Sequence, residues 1–131
     1  QRLAQGATIL AADYLRAQRL RRRFIESLDA VFAKCDVLLT PTTPVAPPRL
    51  EETALHWPSQ TEGVTAALPR LTRAFNLTGT PALSVPCGFT TGGLPIGLQI
   101  AGRAFDEATV LRVGSAYEQA SGFGGRRPPE P

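Results

Sequence analysis

Five prolines between positions 41 and 58 rule out regular helix through the middle of this chain: Pro41, Pro44, Pro47, Pro48 and Pro58. Each lacks a backbone N–H and would break an α-helical ladder. The stretch 41–63 is therefore expected to run as an extended loop over the surface. It separates two regions of clear periodicity. Upstream, Leu10, Tyr14, Ala17, Leu20, Phe24, Leu28, Val31 and Phe32 recur at three- and four-residue steps, which predicts one long amphipathic helix over 9–33. Its opposite face carries Arg16, Arg19, Arg22, Arg23 and Glu26, the expected solvated side. Asp36 then opens the apolar run Val37, Leu38, Leu39, which reads as a strand covered on both faces.

Downstream, Pro69 suits a first helical turn, and Leu68, Leu71 and Phe75 predict a short helix ending between Asn76 and Gly79. After Pro81 the residues alternate. Leu83, Val85, Cys87 and Phe89 fall on one face of a strand over 82–89, and the small Ala82, Ser84, Pro86 and Gly88 on the other, where a second layer would approach closely. Thr90 to Gly93 reads as a turn, and Ile96, Leu98 and Ile100 mark a partner strand over 96–101, giving an antiparallel hairpin. Asp106 is the expected N-cap of a last helix with Val110, Val113, Tyr117 and Ala120 inward, and Gly122 its C-cap. The tail over 123–131 is expected to fray. The order of elements predicts the α/β class, with helices covering a mixed sheet.

Composition excludes several function classes. Thirteen arginines and one lysine against eleven acids leave a net charge of +3, a weak surplus for nucleic acid. The arginine run of the long helix lacks interleaved aromatics for base stacking and reads as a solvated face. No apolar run is long enough to span a membrane. Cys35 and Cys87 make neither a disulfide framework nor a metal-ligand spacing, so two buried free thiols, no metal, no cofactor and a cytoplasmic setting are expected. The chain has no methionine and begins at Gln1, which reads as a piece of a longer protein.

Three segments carry a resemblance. They are Tyr14-Leu-Arg-Ala-Gln-Arg19, Asp36-Val-Leu-Leu-Thr-Pro-Thr-Thr-Pro44, and the stretch from Phe75 to Glu118 with Phe75-Asn-Leu-Thr-Gly-Thr-Pro-Ala-Leu-Ser-Val-Pro-Cys-Gly-Phe89 and Gly93-Leu-Pro-Ile-Gly-Leu-Gln-Ile-Ala-Gly102. Together they resemble the C-terminal part of the amidase signature family, hydrolases and amidotransferases that act on carboxamides. The resemblance implies that residues 1–131 form the C-terminal part of one domain, a partial amidase-signature fold. It also implies a serine, cis-serine, lysine triad on a missing N-terminal segment, which is the expected partner of this piece. A small carboxamide is the expected substrate, and a homo-oligomer stays open. By position in the family, Thr72, Phe75 and Asn76 are the candidate substrate-pocket residues. The alternative for Phe75 is core, for Asn76 a helix cap, and for Thr72 a solvent-facing side chain.

No catalytic residue is expected in this piece. Amide cleavage needs a nucleophile touching a base, and Lys34 lies two helical turns, roughly 10 Å, from Ser27. His56 and Ser59 share a proline-containing loop with no orienting carboxylate nearby in sequence, so His56 reads as a solvated histidine. In the branch that amidates mischarged transfer RNA, an acidic residue commonly precedes the Leu-Thr pair of the short helix. Pro69-Arg70 stands there instead, which leans the reading towards a general carboxamide hydrolase. The amidating component of a tRNA-dependent amidotransferase, and a non-catalytic binding module derived from the same fold, are the alternatives.

Overall fold

A computed structural model describes residues 2–127. In chain order the elements are helices α1 (Arg2–Gly6) and α2 (Ala11–Phe32), strands β1 (Val37–Pro41), β2 (Ala54–His56) and β3 (Thr61–Gly63), and helix α3 (Val64–Ala67). A 3-10 turn (Leu68–Arg70), helix α4 (Arg73–Thr78), strands β4 (Ala82–Phe89) and β5 (Pro95–Gly102), and helix α5 (Glu107–Ser121) follow.

The main sheet has the order β1-β5-β4. Both pairings are antiparallel, Leu39 opposite Ile100 and Leu83 opposite Ile100. The α/β class is as expected, while no parallel pair occurs among the described residues. The hairpin closes where Thr90 accepts from Gly93 N at 2.9 Å and donates to Leu94 O at 2.8 Å, with Gly93 at a φ of 79° that disfavours a side chain. Register slips between Pro86 and Gly88. Pro86 cannot donate to the ladder, and an edge strand with a bulge is where a strand proline is tolerated.

Helix α5 covers one face of this sheet. Val110 packs with Val85 and Ile100, and Val37, Leu83, Leu98, Val113 and Tyr117 surround them. The helix comes close because Gly114 has no side chain: a Cβ there would lie 2.3 Å from Leu83 Cδ2. Close layer approach therefore occurs on the Leu83 and Val85 face, opposite to the expectation from the small residues of β4. Asp106 accepts from Thr109 N at 3.3 Å and Gly122 closes the helix at a φ of 69°, so both caps stand as read. Ala120 is exposed, being past the end of the sheet's apolar cluster. Of the expected tail, 128–131 lie outside the described residues; Phe123 meets Phe89 edge-on at 5.9 Å between ring centroids.

Four further expectations are corrected. The loop over 41–63 contains the β2–β3 hairpin, with Pro58 in its Trp57–Gln60 turn, so that no proline interrupts the pairing. The single short helix is split: Pro69 stands in the first turn of a 3-10 stretch, and Leu71 and Thr72 separate that stretch from α4. The apolar side of α2 is not inward: Phe32 is buried at 2%, while Tyr14 and Leu20 are each 58% exposed and Phe24 40%. A 22-residue helix is about 33 Å long, and its main neighbour is the six-residue α4, too short to cover it. Likewise Leu39 is 58% exposed, since β1 is an edge strand.

Candidate functional site

The face of the main sheet turned away from α5 carries a polar row. Register places Thr40 and Ser84 on either side of Gln99, and Pro86 beside Gly97. Gln99 is buried, and its side-chain N–H groups reach Thr40 Oγ1 at 2.9 Å and Leu71 O at 3.2 Å. That amide bridges the central strand to the segment entering α4. One step along, Thr42 Oγ1 and Ser84 Oγ stand 2.6 Å apart. Thr42 is held by its own N–H, which donates to Gly97 O at 2.9 Å. A Cβ on Gly97 would lie 2.7 Å from Thr42 Oγ1 and 2.8 Å from Ser84 Oγ, so glycine at 97 is what lets the two hydroxyls meet.

This pair lies in the wall of a cavity of about 560 Å³ between the 41–47 loop and the near end of the β4–β5 hairpin. Proline rings dominate the rest of the wall, with Pro44, Pro47, Pro86 and Pro95 among them, and no lining side chain is ionisable. A second cavity, of about 570 Å³, lies on the other side of the hairpin end. Phe89, Leu94 and Phe123 line it together with Arg126 and Arg127, and Arg126 rests 4.2 Å from the centroid of Phe89.

The candidate pocket residues are placed elsewhere. Thr72 is half-buried and donates to Pro69 O at 3.1 Å; Phe75 is buried at 7%; Asn76 is exposed on α4. None of the three lines either cavity. Gly79, at a φ of 75°, rather than Asn76, caps α4. His56 Nδ1 meets Thr61 Oγ1 across the small hairpin at 3.1 Å, and Ser27 donates to Arg23 O at 2.9 Å. Neither pair of nucleophile and base weighed from the sequence is brought together. Both cysteines are free and only half-buried, not the buried thiols expected. Among the described residues no three His, Cys, Asp or Glu side chains converge as for a metal ion, and no helix is long and apolar enough to cross a membrane.

Arg70 makes a structural contact. It pairs with Glu62 and stacks 5.6 Å from the Trp57 ring centroid. The Thr42–Ser84 pair was missed from sequence; the small-residue face of the 82–89 strand was its one visible trace.

A hydroxyl pair and a buried amide lie on an antiparallel hairpin, and a proline-rich loop walls a cavity with no ionisable lining side chain beside them. The family model described as Amidase matches residues 1–111, and the chain belongs to the amidase signature family. It is 49% identical to a glutamyl-tRNA(Gln) amidotransferase chain of Brevibacillus brevis, over 89% of this chain and 23% of that one. It is 44% identical to a fatty acid amide hydrolase of Medicago truncatula, over 96% of this chain and 21% of that one. A crystal structure of an amidase superposes with a TM-score of 0.84 at 29% identity, covering 91% of this chain and 27% of the other. The chain thus spans about a quarter of the length of the relatives it matches.

Proposed function

We propose that this chain is the scaffold and part of the pocket wall of a carboxamide hydrolase whose serine, cis-serine, lysine triad lies on the N-terminal remainder of the same enzyme. In that mechanism the lysine, through the bridging serine, takes the proton of the nucleophilic serine. The serine attacks the amide carbonyl, backbone donors hold the oxyanion, and water resolves the acyl-enzyme. The observation that carries the reading is the family match over residues 1–111, joined to a fold that contains a neutral cavity but no hydroxyl next to a base in the pairs weighed.

The surfaces left uncovered support a partner segment. Tyr14, Leu20 and Phe24 on α2, Leu39 on the edge strand and Phe105, 94% exposed at a φ of 63°, form apolar ground for the remainder to pack on. Thr72, Phe75 and Asn76 stay in the proposal as a second wall, reached when that remainder is in place. A cytoplasmic setting suits the two free thiols.

Identity does not separate the hydrolase from the amidotransferase branch, at 44% and 49%. Arg70 weighs for the hydrolase, because its guanidinium is engaged by Glu62 and Trp57 where an acidic reader of an amino group would stand. The test is turnover of primary carboxamides, followed by ammonia release, for the intact enzyme and for residues 1–131 alone. The intact enzyme is expected to hydrolyse them and the piece to release nothing above background. Ammonia release by the piece alone, or transfer to a charged tRNA without free hydrolysis by the intact enzyme, overturns the reading.

A further inference from the structure

We propose that the Thr42–Ser84 hydroxyl pair is a binding element for the neutral amide group of a small carboxamide seated in the cavity beside the 41–47 loop. The proposal deepens the functional reading above and rests on it. It names where the chain would recognise its ligand and by which atoms.

The geometry is specific. With the two oxygens 2.6 Å apart, one hydroxyl donates to the other. One O–H then remains free to donate, and lone pairs on the oxygens remain free to accept. That is the complement of a carboxamide, which offers one carbonyl acceptor and N–H donors. The pair does not drift, because Thr42 is fixed to Gly97 O and Gly97 leaves the space in which both side chains sit. Gln99, in the neighbouring row, is buried and committed to Thr40 and Leu71, so it braces the wall rather than competing for the ligand.

Charge selects the ligand class. No ionisable side chain lines the cavity, so a charged ligand would find no counter-charge in its wall. A neutral amide loses only hydrogen bonds that the hydroxyls restore. The volume of about 560 Å³ suits a small organic molecule, and the proline-lined wall suits an apolar acyl or alkyl portion. With no His, Lys, Asp or Glu in the wall, neither hydroxyl is activated as a nucleophile, so the pair binds and does not cleave.

The intact enzyme is assayed with hexanamide and with methyl hexanoate, the ester serving as substrate or as competing ligand. Ser84→Ala and Thr42→Val are each expected to raise KM for hexanamide about three- to tenfold with kcat unchanged, the loss of one neutral hydrogen bond to a ligand. Affinity for the ester, which offers the carbonyl acceptor but no N–H, is expected to fall clearly less than that for the amide. Thr42→Ser keeps the hydroxyl and restores the parent KM. Gly97→Ala, which pushes both hydroxyls aside, reproduces the KM effect. An unchanged KM for hexanamide with a lowered Tm assigns the pair to packing against the rest of the enzyme and overturns the proposal. Equal weakening of amide and ester overturns it too. An intact enzyme that turns over no carboxamide from acetamide to benzamide removes the functional reading itself, a result distinct from those two.

Discussion

The guanidinium of Arg103 donates from Nε to the carbonyl oxygen of Phe32 at 3.0 Å. Its Nη2 also reaches Cys35 O and Asp36 Oδ1, each at 3.1 Å. One side chain from the loop before α5 thereby satisfies the Phe32 carbonyl at the end of α2 and fixes the turn into β1 through Cys35 and Asp36. The Phe32 carbonyl is one of the last in the helix, which lack intrahelical partners, and a cation at a helix C-terminus is favoured by the dipole as well.

Arg103→Ala is expected to lower the stability of the intact enzyme by about 1–2 kcal/mol, read as a reduced urea midpoint with unchanged slope. Asp36→Asn removes only the exposed ion pair and is expected to cost less than about 1 kcal/mol. A larger loss from Asp36→Asn than from Arg103→Ala would show that the salt bridge, and not the cap, matters.

Gly114→Ala sets two effects of opposite sign against each other. In an exposed helix interior the change gains about 1 kcal/mol of propensity. Here the new Cβ would lie 2.3 Å from Leu83 Cδ2 and 3.8 Å from Val85 Cγ1, so α5 must lift from β4, at a cost of about 1–3 kcal/mol. Net destabilisation is expected in thermal denaturation. Adding Leu83→Ala is expected to relieve part of it, since residues in contact couple non-additively.

Phe75→Ala tests core against pocket. At 7% exposure, with no part in either cavity wall, the ring is expected to contribute about 3–5 kcal/mol to stability. A variant that keeps its melting temperature while changing which amide it accepts would favour the pocket role over the core one.

The uncovered side of α2 gives a comparison between two species. Leu20→Glu and Phe24→Glu replace exposed apolar groups in residues 1–131, and are expected to leave its circular dichroism unchanged and to improve its solubility. In the intact enzyme the same changes are expected to destabilise by more than about 2 kcal/mol, because each buries an unpaired carboxylate. Equal tolerance in both species would mean that nothing packs on this helix face.

What was legible in the chain was what chemistry decides locally. Strand β4 was read to its residue bounds because its alternation has the two-residue period of a pleat. The caps Asp106 and Gly122 were read because a side-chain acceptor and a left-handed residue act within one turn. The β2–β3 hairpin escaped because three-residue strands are too short to show a period, and the split of the short helix escaped because no proline or glycine marks the break at Leu71 and Thr72.

By itself the sequence determined the kinds and order of the main elements and membership of the family. Which face of each element is covered was decided only in three dimensions. Periodicity states that α2 has an apolar side but not whether anything lies against it. The pairing of Thr42 with Ser84 and of Arg103 with Phe32 joins positions 42 and 71 residues apart, and such contacts exist only once the hairpin and the helix end have been brought together by packing.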